Sequence, residues 1–199
     1  MDWRLRPAQQ EDAFGLADLS LMAGHGFLNV LYENVFPDRR LEGIIVERRI
    51  LNPRSIGHLR HWLVASSLSG EVLGAANFFA PAALDEIDPD DAVPADRGGI
   101  FEPFRLLDPL TADSIHVNML AVFPQHRGRG IAHALIDQTL AIAREAGLPA
   151  VTLLTFEEDR RLVDYYRRLG FAITGSSPVV PHPYFQHSGN VIAMLKPAA

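Results

Sequence analysis

Cysteine is absent from this 199-residue chain, and lysine occurs once, at Lys196. The first absence excludes disulfides, thiolate metal sites and any cysteinyl intermediate, so any catalysis here must do without one. The second excludes a Walker phosphate loop, which ends in Gly-Lys-Ser/Thr. No apolar run approaches about 18 residues and no basic-then-apolar leader opens the chain, so we expect no membrane span and a cytoplasmic protein. Excess positive charge is missing as well: a formal net charge of −6 argues against nucleic acid as the main partner. Neither the histidines nor the acidic residues fall at a zinc spacing such as His-Glu-x-x-His, so no metal is expected. Many arginines and alanines beside a single lysine suggest a high-GC bacterial source. What the chain does have is apolar content, 48 % of its residues, enough for one sizeable core. We therefore expect one domain over residues 1–199.

The rest of the chain is organised around Ser114 to Gly147. Ser114 to Val122 is β-branched and apolar, and Phe123-Pro124 ends the strand. Gln125-His126-Arg127-Gly128-Arg129-Gly130 follows, and the apolar period then changes from 2 to 3.6. Ala132, Leu135, Ile136, Thr139, Leu140 and Ala143 form one helical stripe, stopped by Gly147 and Pro149. A glycine turn feeding a helix start leaves backbone N–H groups unpaired, with the positive end of a helix dipole behind them. Such a site suits phosphate. A dinucleotide fingerprint needs a third glycine where His133 stands, so a Rossmann loop does not fit.

What remains is Gln-x-x-Gly-x-Gly after a strand, and here the chain resembles the GCN5-related N-acetyltransferase (GNAT) superfamily. That family's acetyl-coenzyme A pyrophosphate loop is matched by Gln125, Gly128 and Gly130, and Leu120-Ala121-Val122-Phe123-Pro124 is similar to its fourth strand. A second match runs from Asp159 to Phe171, with Tyr166-Arg167-Arg168-Leu169-Gly170-Phe171 similar to the family's Tyr-x-x-x-Gly-Phe. Asp159 stands where the family often has Asn, and Leu162 where it often has Ala. The resemblance implies a mixed α/β sheet of about seven strands flanked by helices on both faces, with its parallel part between the coenzyme strand and the next. It also implies coenzyme contacts from Leu120, Ala121 and Val122, from Gln125, His126, Arg127, Gly128, Arg129, Gly130 and Ile131, and from Asp159.

Elsewhere, Trp3 to Arg6 reads as a first strand. Glu11 and Asp12 open a helix with the stripe Phe14, Leu16, Ala17, Leu19 and Leu21. Gly24-His25-Gly26 breaks it; His25 is either a solvated loop histidine or, as the resemblance implies for the segment joining the first two helices, a neighbour of the acceptor pocket. Phe27 to Val35 and Leu41 to Leu51 read as helix, the second capped by Asp38, with Arg39, Arg40, Arg48 and Arg49 on a solvated face. Leu59 to Ser66 and Val72 to Phe79 form a hairpin. Residues 81–112 are acidic and proline-rich, too long for a plain connection. We expect an inserted flap there, either over the acceptor side or with a disordered acidic tip, and Ile100, Phe101, Phe104, Leu106 and Leu107 packing in its second half. Ala172 to Thr174 and Asn190 to Leu195 close the sheet, and His182 and His187 between them either line the acceptor pocket or pack the loop.

Acetyl transfer to an amine must remove a proton from an ammonium with a pKa near about 10.4 and supply one to a thiolate whose acid has a pKa near about 8.5. Strand parity puts His116, Asn118, Leu120 and Val122 on one face and the apolar Ile115, Val117, Met119 and Ala121 on the other. His116 is then the candidate base, in a position where members of the resembled family carry a base or a water-relaying group, and Asn118 a positioning group. The resemblance assigns Tyr166 as the acid that protonates the departing thiolate. The implied activity is an acetyl-coenzyme A dependent N-acetyltransferase acting on a primary amine of a small molecule or amino acid. The alternatives are an acetyltransferase of protein amines and a non-catalytic acyl-coenzyme A sensing module. A homodimer through the late strands is a further possibility that the family suggests.

Overall fold

The computed structural model describes residues 2–32, 34–81 and 94–199. Its strands are β1 (Trp3–Pro7), β2 (Trp62–Ser67), β3 (Val72–Phe79), β4 (Ser114–Val122), β5 (Ala150–Phe156), β6 (Ala172–Pro178) and β7 (Asn190–Pro197), and its helices α1 (Ala13–Ala23), α2 (Phe27–Tyr32), α3 (Leu41–Ile45), α4 (Gly98–Arg105), α5 (Ile131–Glu145) and α6 (Arg160–Arg168). One mixed sheet runs in the order β1-β2-β3-β4-β5-β7-β6. Every neighbouring pair is antiparallel except β4 and β5. A parallel pair needs a crossover, and α5 supplies it.

The helices cover both faces. On one, Leu16 and Ala17 of α1, Leu28 of α2 and Phe101 of α4 pack with Ala75, Met119 and Phe156 of the sheet. On the other, Ile136, Leu140 and Ala143 of α5 and Val163 and Tyr166 of α6 pack with Val117, Val151 and Leu153. The stripe read from the α5 sequence is the buried one: Leu135, Ile136, Thr139, Leu140 and Ala143 are inside, Ile131 joins them, and Ala132 is half-buried at the margin. Burying five or six such side chains, each worth about 1.5–3 kcal/mol for the larger ones, is what fixes α5 on the sheet.

Several expectations change. The buried stripe of α1 is Ala13, Leu16, Ala17, Leu19 and Ser20, which leaves Phe14, about 100° away on the helix, 66 % exposed. Asp12 serves not as a bare dipole partner but as a buried acceptor for the Arg6 guanidinium, at 2.7 and 2.8 Å, which ties β1 to the start of α1. Asp38 does not cap α3; its N-cap is Arg40, without a side-chain bond. The second half of that helix is a π-turn, Val46–Ile50, closed by Leu51 N–H on the Val46 carbonyl at 2.9 Å. The wider turn rotates Arg49 inward, where it is 6 % exposed against Gly57 rather than on a solvated face.

Of residues 81–112, the acidic tip with Asp85, Glu86, Asp88, Asp90 and Asp91 lies outside the described residues. The second half holds α4, and Phe101 and Leu107 are buried, whereas Leu106 is 61 % exposed. Gly175 lets this segment approach β6: a Cβ there would stand 3.2 Å from Leu107 Cδ2 and closer still to Leu110.

The parity of β4 also changes partway. Its register against β3 pairs Val117 with Phe78 and Met119 with Asn77, skipping Asn118. That bulge puts one extra residue into the strand. Beyond it Met119 and Ala121 lie on the α1 face, whereas Leu120 and Val122 join Ile115 and Val117 on the α5 face. His116 and Asn118 still share a face, since Asn118 bonds Asn77 and His116 lies against Phe79, two residues along β3.

Candidate active site

The bulge sits where the sheet opens. β4 and β5 are paired only from Ser114 with Ala150 to Val117 with Leu153. Both strands run on, to Val122 and Phe156, without bonding each other. Two parallel strands that part in this way leave ladder N–H and C=O groups turned toward the gap. A cleft of about 1170 Å³ fills it, bordered by β4 and β5, the turn after β4, the start of α5, α6 and the α1–α2 turn.

At one end is the glycine turn. Gly128 and Gly130 have φ of 75° and 77°, the left-handed region that favours glycine, and a Cβ on either would meet nothing within 4 Å. The glycines are therefore required by the backbone angle, and the space in front of them is open. Gly130 is the N-cap of α5 and offers no side chain, so the first N–H groups of a 15-residue helix point outward with no acceptor one turn back. Arg127 Nε donates to the Val122 carbonyl at 3.1 Å and fastens the turn to the end of β4. Arg161 and Arg168 of α6 also border the cleft, which makes a cationic rim on a chain of net charge −6. Gln125 and Arg129 occupy the exposed outer side of the turn, and Gly128, Gly130, Ile131, His126 and Arg127 border the cleft.

Further in lie two phenols. Tyr166 is 5 % exposed, its ring 5.6 Å from Phe171, and burial pushes its pKa above the ordinary phenol value. It is thus fully protonated at neutral pH. Tyr165 stands beside it, ring centroids 5.5 Å apart. Its hydroxyl and that of Thr155 are buried and have no hydrogen-bond partner among the described residues. Both residues border the cleft. Unpartnered buried polar atoms are uncommon in folded proteins, so hydroxyls of this kind on a cleft are candidates to meet a polar ligand. Asp159 also borders it and caps α6, accepting Leu162 N–H at 3.0 Å.

His116 lies deeper, where β4 and β5 are still paired. Its Nδ1 is 3.2 Å from Thr152 Oγ1, its ring 5.6 Å from Phe79, and burial pushes its pKa down to about 4. The Asn118 amide donates to Asn77 Oδ1 at 2.8 Å, and Asn77 in turn donates to the Ile56 and His61 carbonyls. Asn118 is thereby held by the scaffold at the bulge.

The opposite end of the cleft is aromatic, with Phe27, Phe101, Phe104 and Phe156 on its wall. His25 joins them from the α1–α2 turn, its ring 5.6 Å from Phe156 and its Nδ1 3.3 Å from Gln186 Oε1. Burial lowers its pKa, helped by His187 and opposed by Gln186 and Asp159. His182 does not border the cleft: its Nδ1 accepts from Tyr184 N–H at 3.4 Å within its own loop. His187 does come to His25, with ring centroids 5.3 Å apart. Thr155, Phe156 and Tyr165 carried no signal of a site in the sequence, because an apolar strand and a helical stripe show only that they are inside.

Known proteins resemble this chain in sequence and in fold. Residues 29–171 fit the family described as "Acetyltransferase (GNAT) family". The amino-acid acetyltransferase of Mycobacterium tuberculosis is 36 % identical over 70 residues, 35 % of this chain and 37 % of that protein. The peptidyl-lysine N-acetyltransferase YjaB of Salmonella typhimurium is 33 % identical over 64 residues, 32 % of this chain and 41 % of that protein. The match thus spans little more than a third of these curated relatives. A solved acetyltransferase structure superposes with a TM-score of 0.69 at 19 % identity, covering 98 % of this chain and all of that one, a likeness of fold. With the family match extending over most of the chain and the fold agreeing from end to end, the protein belongs to the GNAT family of acetyltransferases.

Proposed function

We propose that this chain is an N-acetyltransferase that uses acetyl-coenzyme A as co-substrate and transfers the acetyl group directly to a primary amine of a small molecule or amino acid. The observation that carries the reading is the parting of β4 and β5 above Val117 and Leu153, between a left-handed glycine turn and a buried tyrosine. The coenzyme, when bound, supplies an activated acyl group on a thiol leaving group. The residues present fit it: the turn through Gly128 and Gly130 and the N-terminus of α5 suit a pyrophosphate, and the hydroxyls of Thr155 and Tyr165 want partners.

The chain's own groups divide the work. Backbone N–H groups released where β4 leaves β5 face the charge that develops on the carbonyl oxygen, and donors in a water-poor cleft act strongly there. Tyr166, kept protonated by burial, donates to the departing sulfur. His116 remains neutral down to about pH 4. It is therefore free to accept a proton through water at neutral pH, though as a weak base. Without cysteine, direct transfer is the simple course.

The acceptor end supports a small substrate. α4 sets Phe101 and Phe104 on the wall at that end, where an extended protein segment would have to pass. We keep a cytoplasmic location and a homodimer as parts of the reading; among the described residues no helix is long and apolar enough to cross a membrane, and β6 ends the sheet.

Thiol release from acetyl-coenzyme A against a panel of amines, amino acids and aminoglycosides tests it. Turnover with one acceptor class is expected, with kcat lowered by about 10²-fold or more in Tyr166→Phe and coenzyme affinity unchanged. Tight coenzyme binding without turnover across the panel would overturn the catalytic reading.

A further inference from the structure

His25, Asp159 and His187 come from three separate connections, α1–α2, β5–α6 and β6–β7, and one donor atom of each lies within 4.8 Å of the others. The convergence is built by the backbone. His25 has φ of 47°, a left-handed conformation that strains a residue with a Cβ and persists where the surroundings fix it. Its carbonyl accepts Gln186 N–H at 3.2 Å, which joins the first connection to the third. The next residue must be glycine, since a Cβ on Gly26 would fall 1.8 Å from the Tyr184 carbonyl oxygen. Asp159 is fixed in its turn by capping α6 through Oδ1, which leaves its second oxygen for a ligand.

We propose that His25, Asp159 and His187 form a binding site for a divalent transition-metal ion of the zinc class. Two imidazoles and one carboxylate are a donor set for zinc, cobalt or nickel and a poor one for magnesium or calcium, which take oxygen. Metal-bound histidines normally have an outer partner that orients the ring, and both rings have one nearby: Gln186 Oε1 at 3.3 Å from His25 Nδ1, and Glu158 Oε2 at 3.9 Å from His187 Nδ1. Phe156 lies against both rings, at 5.6 and 5.0 Å, and shields that side from water. Bonds of about 2.0–2.1 Å in a tetrahedral site put donors about 3.4 Å apart, so rotations of the three side chains that draw the donors in by about an ångström complete the set. Three protein ligands leave a coordination position open, and His25 and Asp159 border the cleft, so that position faces its aromatic end. Metal binding here does not depend on the acetyl-transfer reading.

The experiment uses tag-free full chain stripped with chelator and titrated with Co²⁺ as a visible probe and with Zn²⁺ by calorimetry. The result expected is one ion per chain, with Co²⁺ d–d absorption displaced by Zn²⁺. His25→Ala and His187→Ala should each weaken binding by about 100-fold or more, because losing even an outer partner of a metal ligand costs about 10–100-fold. Circular dichroism and thermal melts of the metal-free variants check that they fold, and Asp159→Asn, which keeps an oxygen for the α6 cap, repeats the test where a histidine variant fails to fold. His133→Ala is the control, since His133 and Asp137, 3.1 Å apart on α5, are a second histidine–carboxylate pair. Absence of saturable binding, binding that survives both histidine substitutions, or loss of binding in His133→Ala would each overturn the proposal.

Discussion

Replacing His116 by glutamine removes a titrating group while leaving an amide to meet Thr152. The wild-type imidazole has its pKa pushed down to about 4 by burial, against about 6.5 in the unfolded chain. Because the folded value is the lower one, the unfolded chain binds the extra proton first as pH falls. The neutral His116 thus contributes nothing to the pH dependence above about pH 7, and stability is lost progressively between about 6.5 and 4. At pH 5 these two values give a loss of about 2 kcal/mol relative to pH 8. Urea unfolding at both pH values, followed by the fluorescence of buried Trp62, measures it. Other groups also contribute, including His25, His58 and His61, whose pKa values are lowered by burial. The comparison is therefore between proteins: wild type should lose about 2 kcal/mol more than His116→Gln on going from pH 8 to pH 5. Equal losses would show that His116 is solvated and ordinary, and would remove the reasoning that keeps it neutral in the cleft.

Three other outcomes follow from the same structure. Gly130→Ala puts a Cβ on a residue with φ of 77°, which should lower stability by about 1–2 kcal/mol; coenzyme A affinity by calorimetry should fall by about tenfold or more, and unchanged affinity would detach the turn from the pyrophosphate. Ile136→Ala empties a fully buried position under α5 and should cost about 2–5 kcal/mol in urea unfolding, while leaving the acetyl-coenzyme A KM within about twofold. Asn118→Ala removes the bond to Asn77 at the bulge and should lower stability by about 0.5–1.5 kcal/mol; a larger effect on kcat than on KM would show that the bulge positions reacting groups.

Local rules were enough for the elements that carry their own pattern. The bounds of β3, β4 and β5 and the buried stripe of α5 could be read from period and turn residues, because a strand or helix with one wet face must alternate accordingly. Family likeness at Gln125, Gly128, Gly130 and Tyr166 extended that to the sheet's layout. Element ends were less legible: β6 runs on to Pro178 because β7 offers it a partner, not because Gly175-Ser176-Ser177 favours a strand.

The sequence by itself determined a cysteine-free chain of strands and helices with a glycine turn feeding a helix, since composition and spacing act over a few residues at a time. Only the tertiary structure decided the rest. The skipped residue at Asn118 reverses the parity of β4, and it is set by pairing with β3. Arg49 turns inward on a π-turn, and His25, Asp159 and His187 meet across three connections that are far apart in the chain. Such groups are brought together by packing of the whole sheet and its helices, a long-range energy that no local pattern contains.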